Sequence, residues 1–439
     1  RYRIPKRSCS TLWQTPPGSI ARAHDRSIVI RIGAARRSGR ALARKENSMR
    51  YYTAGESHGQ GLVAIVEDVP AGLKISEEQI NVDLARRQAG YGRGGRMKIE
   101  HDTVQVISGV RFGRTIGSPV AMLVANRDWA NWTDRMAPFG EPPLDLVREV
   151  TPRPGHADLV GALKTNTDDC RNILERSSAR TTAPRVAAAG IAREYLADLG
   201  VEIFSYVTGI GSAVMREGDP FMNAARYTPL EIETSEVRCP DAEASEVMKR
   251  EIDRAIKNKD SLGGTFRVIV RGLLPGVGGY AVPTERLTST IGGALFSIPA
   301  IKGVEFGMGF EAARKPGSQV HDPILLDRAK VEFTRASNNA GGLEGGMTTG
   351  MPLVVTAAMK PIPTLMQPLQ TVDLDTLEVA QASKERSDVC AVPACAVVAE
   401  GEVAFAIADA YMRKFGSDNM ADIKAAIKAY KQRLNTVSR

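Results

Sequence analysis

The sequence predicts an α+β fold, and three observations predict it. Strand-like runs follow one another through turns as often as through helices, which argues against a doubly wound parallel sheet. The helical stretches carry their own start and stop signals. The chain holds 41 glycines beside only 5% aromatic residues, the mark of many turns and close backbone approaches where a Cβ would be in the way. At 439 residues, 43% apolar and 25% charged, it is long enough to bury a sizeable core.

The first helix is expected from Ser76, where Ser76-Glu77-Glu78-Gln79 reads as a capping box. Ile80 and Leu84 then fall one turn apart, ahead of Arg86, Arg87 and a glycine cluster. Thr103 to Val110 and Pro119 to Val124 read as strands of an antiparallel meander, with the turn-rich Arg111 to Ser118 between them. Pro184 suits the first turn of a helix running to about Leu199, stopped by Gly200. Glu246 to Asn258 and Glu285 to Phe296 look helical, and lead into strands at Thr265 to Val270 and Gly303 to Met308. Leu353 to Met359 is a further strand, and helices at about Val397 to Phe415 and Ala421 to Leu434 close the chain.

The net charge of +8 is misleading as a whole, because residues 1–48 alone carry +10 and leave −2 for residues 49–439. The basic stretch is rich in Arg, Ser and Ala and lacks sustained periodicity, so it is expected to be disordered or processed. Translation from Met49 is the first reading of this leader; an organellar targeting peptide and an RNA-binding arm are the alternatives. Residues 49–439 are expected to form a single domain. With no composition break and a slightly acidic body, no nucleic-acid role is expected.

Five cysteines at uneven spacing (Cys9, Cys170, Cys239, Cys390, Cys395) point to buried thiols in a reducing compartment and to no disulfide framework. Cys390 and Cys395 have no histidine pair beside them, so no metal site is expected. No apolar run approaches the ~18–20 residues needed to span a bilayer, and no membrane association is expected.

Gly90-Tyr91-Gly92-Arg93-Gly94-Gly95 satisfies a dinucleotide fingerprint literally, but here a helix precedes the loop and a strand follows, the reverse of the order that aims amides at a pyrophosphate. It reads instead as a flexible loop whose Arg87, Arg93 and Arg96 can close around phosphate or carboxylate oxygens, or else as a solvated turn. Two of the five histidines, His58 and His156, sit in short loops (Gly55-Glu-Ser-His58-Gly59 and Arg153-Pro-Gly-His156-Ala-Asp158), where a group titrating near neutrality can donate a proton. His101 and His321 read as surface or turn residues. Glu175 to Thr182 packs four hydroxyls and two guanidiniums into eight residues, and calls for water or an anion. Ser337 to Gly346 is a second such loop, and Lys360-Pro-Ile-Pro-Thr364 and Arg386-Ser387-Asp388 add a lysine, a hydroxyl, a guanidinium and one carboxylate. The common inventory is anion binding with two histidines and no metal cluster.

In order, GESHG, RRQAGYGRGGRM, RPGHAD, ERSSARTTAPRVAAAGIAR, KDSLGG, IKGVEFGMGF, SNNAGGLEGGMTTG, KPIPT and RSDVCAVPA resemble the signatures of chorismate synthases from Met49 to about Ala410. The resemblance implies a β-α-β sandwich, helices layered between antiparallel sheets, with a loop-lined active site, assembled as a homotetramer in the cytoplasm. It implies reduced FMN as cofactor and 5-enolpyruvylshikimate 3-phosphate as substrate, converted to chorismate by anti-1,4 elimination of phosphate without net redox change. Arg176, Ser177, Ser178, Pro299, Ala300, Gly345, Lys360, Pro361, Ile362, Pro363, Thr364 and Arg386 match flavin-binding positions. Arg87 and Arg93 match positions that bind the anionic substrate or NADPH. His58 is implied as the acid for the departing phosphate, His156 as the acid for reduced flavin near N1, and Asp388 as the group acting with flavin N5 on the ring proton. NADPH at this chain and an external source are both open as reductant.

Two positions depart from the family pattern. Pro299 stands where a side-chain amide is expected, and Arg386-Ser387-Asp388-Val389 stands for the usual Arg-His-Asp-Pro. The rival readings are a flavin-dependent oxidoreductase using the same loops and a nucleic-acid binder driven by the leader; a phosphate-loop kinase lacks its G-x-x-x-x-G-K-[ST] sequence.

Overall fold

The computed structural model describes residues 48–94, 101–219, 221–327, 332–385 and 387–437. The leader up to residue 47, Gly95, Arg96 and Arg386 lie outside the described residues. The principal elements run in the order β1 (Arg50–Ala54), β2 (Gly61–Glu67), α1 (Glu77–Gln88), β3 (Val104–Val106), β4 (Val120–Ala125), α2 (Asp158–Thr165), α3 (Arg171–Ser177) and α4 (Thr182–Asp198). They continue with β5 (Glu202–Ile210), β6 (Ala213–Val214), α5 (Ala242–Asn258), β7 (Gly264–Arg271), α6 (Leu287–Phe296), β8 (Ile301–Phe306), β9 (Leu353–Met359), α7 (Val392–Phe415) and α8 (Met420–Val437).

The fold is mixed α+β, with two main sheets that are antiparallel throughout and neither of which closes on itself: β1-β2-β4-β3 and β8-β9-β7-β5-β6. In the first sheet Leu62, Ala64 and Val66 alternate inward along β2 and face Val124, Met122 and Val120 of β4 in register. Each fully buried large apolar side chain of this kind contributes about 1.5–3 kcal/mol. Helix α4 covers that face, and α7 packs against α4 on one side and against β5 and β7 on the other. The helices approach closely where α7 has no side chain: a Cβ on Gly401 would stand 2.5 Å from the Cβ of Ala189.

At α1, Ser76 Oγ accepts the Gln79 N–H at 3.2 Å, the cap that the sequence signals. Leu353–Met359 forms as expected, whereas α7 begins five residues before the periodicity indicates. Pro393 occupies its first turn, where no N–H is needed, and its flanks are buried all round, so it shows no polar face to mark its start. Strand β5 is buried at eight of its nine positions, which removes the alternation that reveals a strand. The segment Glu175 to Thr182, read as a loop, is instead the junction of α3 and α4, with only Ser178 to Thr181 between them as an extended residue and a tight turn; Glu175, Arg180, Thr181 and Thr182 are buried, whereas Arg176 is exposed and Ser177, Ser178 and Arg180 line a cavity, as the expectation of an anion allows. Its polar groups are affordable because each finds a partner within the protein.

Candidate active site

Loops from both main sheets and from the starts of α2, α4 and α7 meet around a cavity of about 420 Å³, within the range of small-molecule sites. His58 lies in the turn between β1 and β2. Asn126, at the end of β4, holds that turn by donating its side-chain amide to the carbonyls of Glu56 (3.0 Å) and Gly59 (2.8 Å). Glu175 of α3 takes the His58 backbone N–H on one oxygen and faces Nδ1 with the other, both at 2.8 Å. Burial pushes the Glu175 carboxyl up, but the His58 contacts and Arg171 outweigh it and hold the group below its ordinary value. A carboxylate at Nδ1 selects the Nδ1–H tautomer and leaves Nε2 as the exchangeable position.

His156, in the turn before α2, repeats the arrangement. Its Nδ1 lies 2.5 Å from Asp158, the first residue of α2. Asp158 also accepts from the backbone N–H (3.1 Å) and Nε (2.8 Å) of Arg153, whose Nη1 donates to Thr364 at 2.9 Å. Burial opposes ionisation of Asp158, yet the hydrogen bonds from His156 and Arg153 hold it far below the carboxylate range.

The cationic wall is built at the end of α1. Arg86 and Arg87 are neighbours with separate duties: Arg86 turns to the buried Glu400 of α7, and Arg87 lines the cavity. Asp102 bridges Arg87 and Arg180 at 2.5 Å each, and all three are buried. Burial pushes the Arg87 guanidinium down to about 10 against the pull of Asp102, with Arg180 and Arg93 adding to the fall, so it stays charged at neutral pH. Lys360 completes the wall, donating to Gly155 O at 2.9 Å; burial and the nearby Lys302 lower it from its ordinary value.

The glycine loop is joined to the Asp388 segment by backbone pairing. Gly92 O accepts the Val389 N–H (2.9 Å) and Leu262 donates to Val389 O (2.8 Å). Asp388 accepts the Gly94 N–H on one oxygen at 2.6 Å and pairs with Arg93 through the other at 2.9 Å. A Cβ on Gly94 would stand 2.6 Å from Ser387 O, so only glycine allows this approach.

The structure therefore brings together His58, His156, Asp388, Arg87, Arg93, Ser177, Ser178, Pro299, Ala300, Lys360, Ile362, Pro363 and Thr364. Arg176 is not among the lining residues; its guanidinium donates to Thr53 O and Oγ1 and to Gly55 O. Gly345 lies in the tight hairpin Leu343–Glu344/Met347–Thr348, and neither it nor Pro361 lines the cavity. Beside Pro299, Ala300, held at a φ of 73°, accepts the Lys360 N–H at 2.9 Å.

Sequence reasoning missed the orienting groups. Asp158 stands two residues after His156, a spacing that is itself a signal, and Asp102 follows the exposed His101. Arg153, Arg180 and Glu175 stood inside recognisable motifs without a role. Trp132, whose ring lies on His58 with centroids 4.1 Å apart, gave no signal at all.

A family model described as chorismate synthase matches residues 49–412. Proteins named chorismate synthase from Geobacter sulfurreducens and Bacillus velezensis are 51% and 52% identical over 388 and 393 residues, covering 87% and 88% of this chain and 98% and 99% of theirs. The chain belongs to the chorismate synthase family. A solved structure titled "Crystal Structure of Chorismate Synthase" superposes with a TM-score of 0.72 at 40% identity, covering 89% of this chain and 99% of its own. Membership makes the protein a lyase of the shikimate pathway, acting on a small molecule: chorismate synthase eliminates phosphate from 5-enolpyruvylshikimate 3-phosphate, and the family implies a flavin cofactor. No helix among the described residues is long and apolar enough to cross a membrane.

Proposed function

We propose that the cavity binds reduced FMN together with 5-enolpyruvylshikimate 3-phosphate, and that its two histidine–carboxylate couples handle the protons of an anti-1,4 elimination. The observation that carries this reading is convergence. Two histidines, each oriented by a buried carboxylate, share one cavity with Arg87, Arg93, Arg153, Arg180 and Lys360, against only Glu385 and Asp388 among the lining acids.

The residues present suit anionic ligands. The lining is strongly cationic, and Arg87 keeps a buried Nε with no hydrogen-bond partner among the described residues, a donor that an anion oxygen satisfies. Reduced flavin, held there by these residues, would supply electron density for cleavage of the C–O bond with no net redox change. Arg87 and Arg93 hold the substrate anion and act on the charge that accumulates as phosphate leaves. His58 gives its Nε2 proton to the departing phosphate, His156 holds a proton for the cofactor, and Asp388 serves in removal of the ring proton. Ser177, Ser178, Lys360, Ile362, Pro363 and Thr364 line the cavity, with Ala300 bonded to Lys360 and Pro299 next to it, and are assigned to the cofactor on the resemblance. For Arg176, Pro361, Gly345 and Arg386 the support is sequence resemblance alone.

The same reading includes a β-α-β sandwich, which the packing of α4 and α7 between the two sheets supports, as a single domain from residue 49. It also includes a homotetramer, a cytoplasmic location, and NADPH as a reductant that Arg87 and Arg93 can bind. Titration of reduced FMN tests the cavity assignment: Lys360→Ala and Thr364→Ala weaken binding by about tenfold or more, the scale of a lost hydrogen bond to a charged group, while His58→Ala retains it. Unchanged FMN affinity in both lining variants would place the flavin elsewhere.

A further inference from the structure

Two different groups enclose the imidazole of His58. Glu175 holds its edge through Nδ1, and Trp132 covers its face, with ring centroids 4.1 Å apart and planes inclined by 31°. Trp132 ends the tight turn Arg127–Asn131, and its N–H donates to Trp129 O at 2.8 Å. The Arg171 guanidinium lies 5.2 Å from the centre of the same indole. Arg171 also reaches Glu149 (2.9 Å), Glu385 (3.0 Å) and Glu175 (3.5 Å), so it joins the segment carrying Trp132 to α3 and to the segment carrying Asp388. The rest of that segment has few apolar anchors: Phe139, Leu144 and Val147 are exposed. Trp132 is half-buried, as are Trp129, Met136 and Leu146, and its ring is spent on a histidine.

Around the His58 ring, Arg171 and Arg180 stand on neighbouring elements, Arg87 and Arg93 line the same cavity, and Glu175 faces Nδ1 with its carboxylate. The face of an indole is electron-rich and stabilises a cation placed against it, more so where water is excluded.

We propose that Trp132 is a positioning residue for His58: it fixes the plane of the ring, keeps water from one face and stabilises the protonated form. This rests on the reading of His58 as proton donor to the leaving phosphate. Its counterpart, His156, is held by Asp158 and Arg153, with no aromatic ring stacked on it among the described residues.

The test uses the full chain as wild type, Trp132→Ala, Trp132→Phe, His58→Gln and the double variant Trp132→Ala/His58→Gln. Histidine-selective NMR, with the His58 signal assigned by its loss in His58→Gln, follows the ring's titration. The expected result is a fall in the His58 pKa of about half a unit in Trp132→Ala and a smaller fall in Trp132→Phe, from the size of a cation–ring contact. Turnover falls by about tenfold in Trp132→Ala with the substrate KM within about twofold, Trp132→Phe recovers most of it, and the double variant is no slower than His58→Gln. Should Trp132→Ala fail to fold, Trp132→Phe carries the test through its own pKa shift. An unshifted or raised His58 pKa in the tryptophan variants, or a loss confined to KM, overturns the inference. Wild-type turnover in His58→Gln overturns the donor reading separately, and leaves the NMR result to judge Trp132.

Discussion

Arg93 Nη1 lies 2.9 Å from Asp388 Oδ2, so the guanidinium proposed to hold the substrate rests against the carboxylate proposed to act as base. A substrate anion that takes this Nη1 donor competes with Asp388, which keeps its hydrogen bond from the Gly94 N–H. In Arg93→Ala, kcat/KM falls by roughly 10- to 150-fold, the equivalent of about 1.5–3 kcal/mol for one charged hydrogen bond. Arg93→Lys restores little of this, because a point charge does not replace a planar fork. Steady-state kinetics with saturating reduced FMN measures both; a lysine variant as fast as wild type would remove the bidentate role.

The two histidine couples predict a graded series. His58→Ala and His156→Ala each lower turnover by ~10²-fold or more, the scale of general acid catalysis. Glu175→Gln and Asp158→Asn keep the rings in place but remove the charge that selects the tautomer, so each costs less than loss of its histidine. Single-turnover phosphate release under anaerobic conditions ranks the four; a carboxylate variant slower than its histidine partner would mean the carboxylate acts on the substrate directly.

Glu400 predicts an acid dependence. It is fully buried against Arg86, Arg193, Arg238 and Ser205. Burial pushes its carboxyl up, but the three guanidiniums outweigh that and bring it down to about 2. A depressed folded-state value means that the stabilisation is full above the unfolded value of ~4.3 and is lost as pH falls towards 2. Glu400→Gln removes the carboxylate that the three guanidiniums share, leaving them only Asp83 and Glu233, and costs up to about 3–5 kcal/mol at pH 7. Urea unfolding shows the gap between wild type and variant narrowing from about pH 4.3 downward; a gap that widens on acidification would contradict this.

Gly94 separates site geometry from stability. A methyl group there meets the Ser387 carbonyl and must push the glycine loop away from Asp388. Gly94→Ala lowers turnover by more than tenfold through displacement of Arg93 and Asp388. Its melting temperature stays within a few degrees, since the contact lies at the cavity edge and outside the packed core. Equal losses of activity and of stability would show that the contact is structural.

Much of this site was legible because its chemistry is local in sequence. His58, His156, Arg93, Lys360 and Asp388 each sit in a loop dense with Gly, Pro or hydroxyls, Arg87 in the last turn of the helix that leads into one, and the cavity collects all six. What was illegible depends on long-range pairing. Asp102 has meaning only because α1 and the α3–α4 junction bring Arg87 and Arg180 to it, and Glu175 only because the turn between β1 and β2 returns to α3. The fold shows the same division. Ser76 signals its helix within four residues, while β5 and the start of α7 are buried on every side and lose the polar contrast that periodicity requires.

The most direct test of the central claim is an anaerobic turnover with the full chain, pre-reduced FMN and 5-enolpyruvylshikimate 3-phosphate, following phosphate, chorismate and the flavin spectrum together. The account predicts equal amounts of phosphate and chorismate over many turnovers, with the flavin still reduced at the end. Stoichiometric flavin oxidation, or no product although FMN binds, would contradict it.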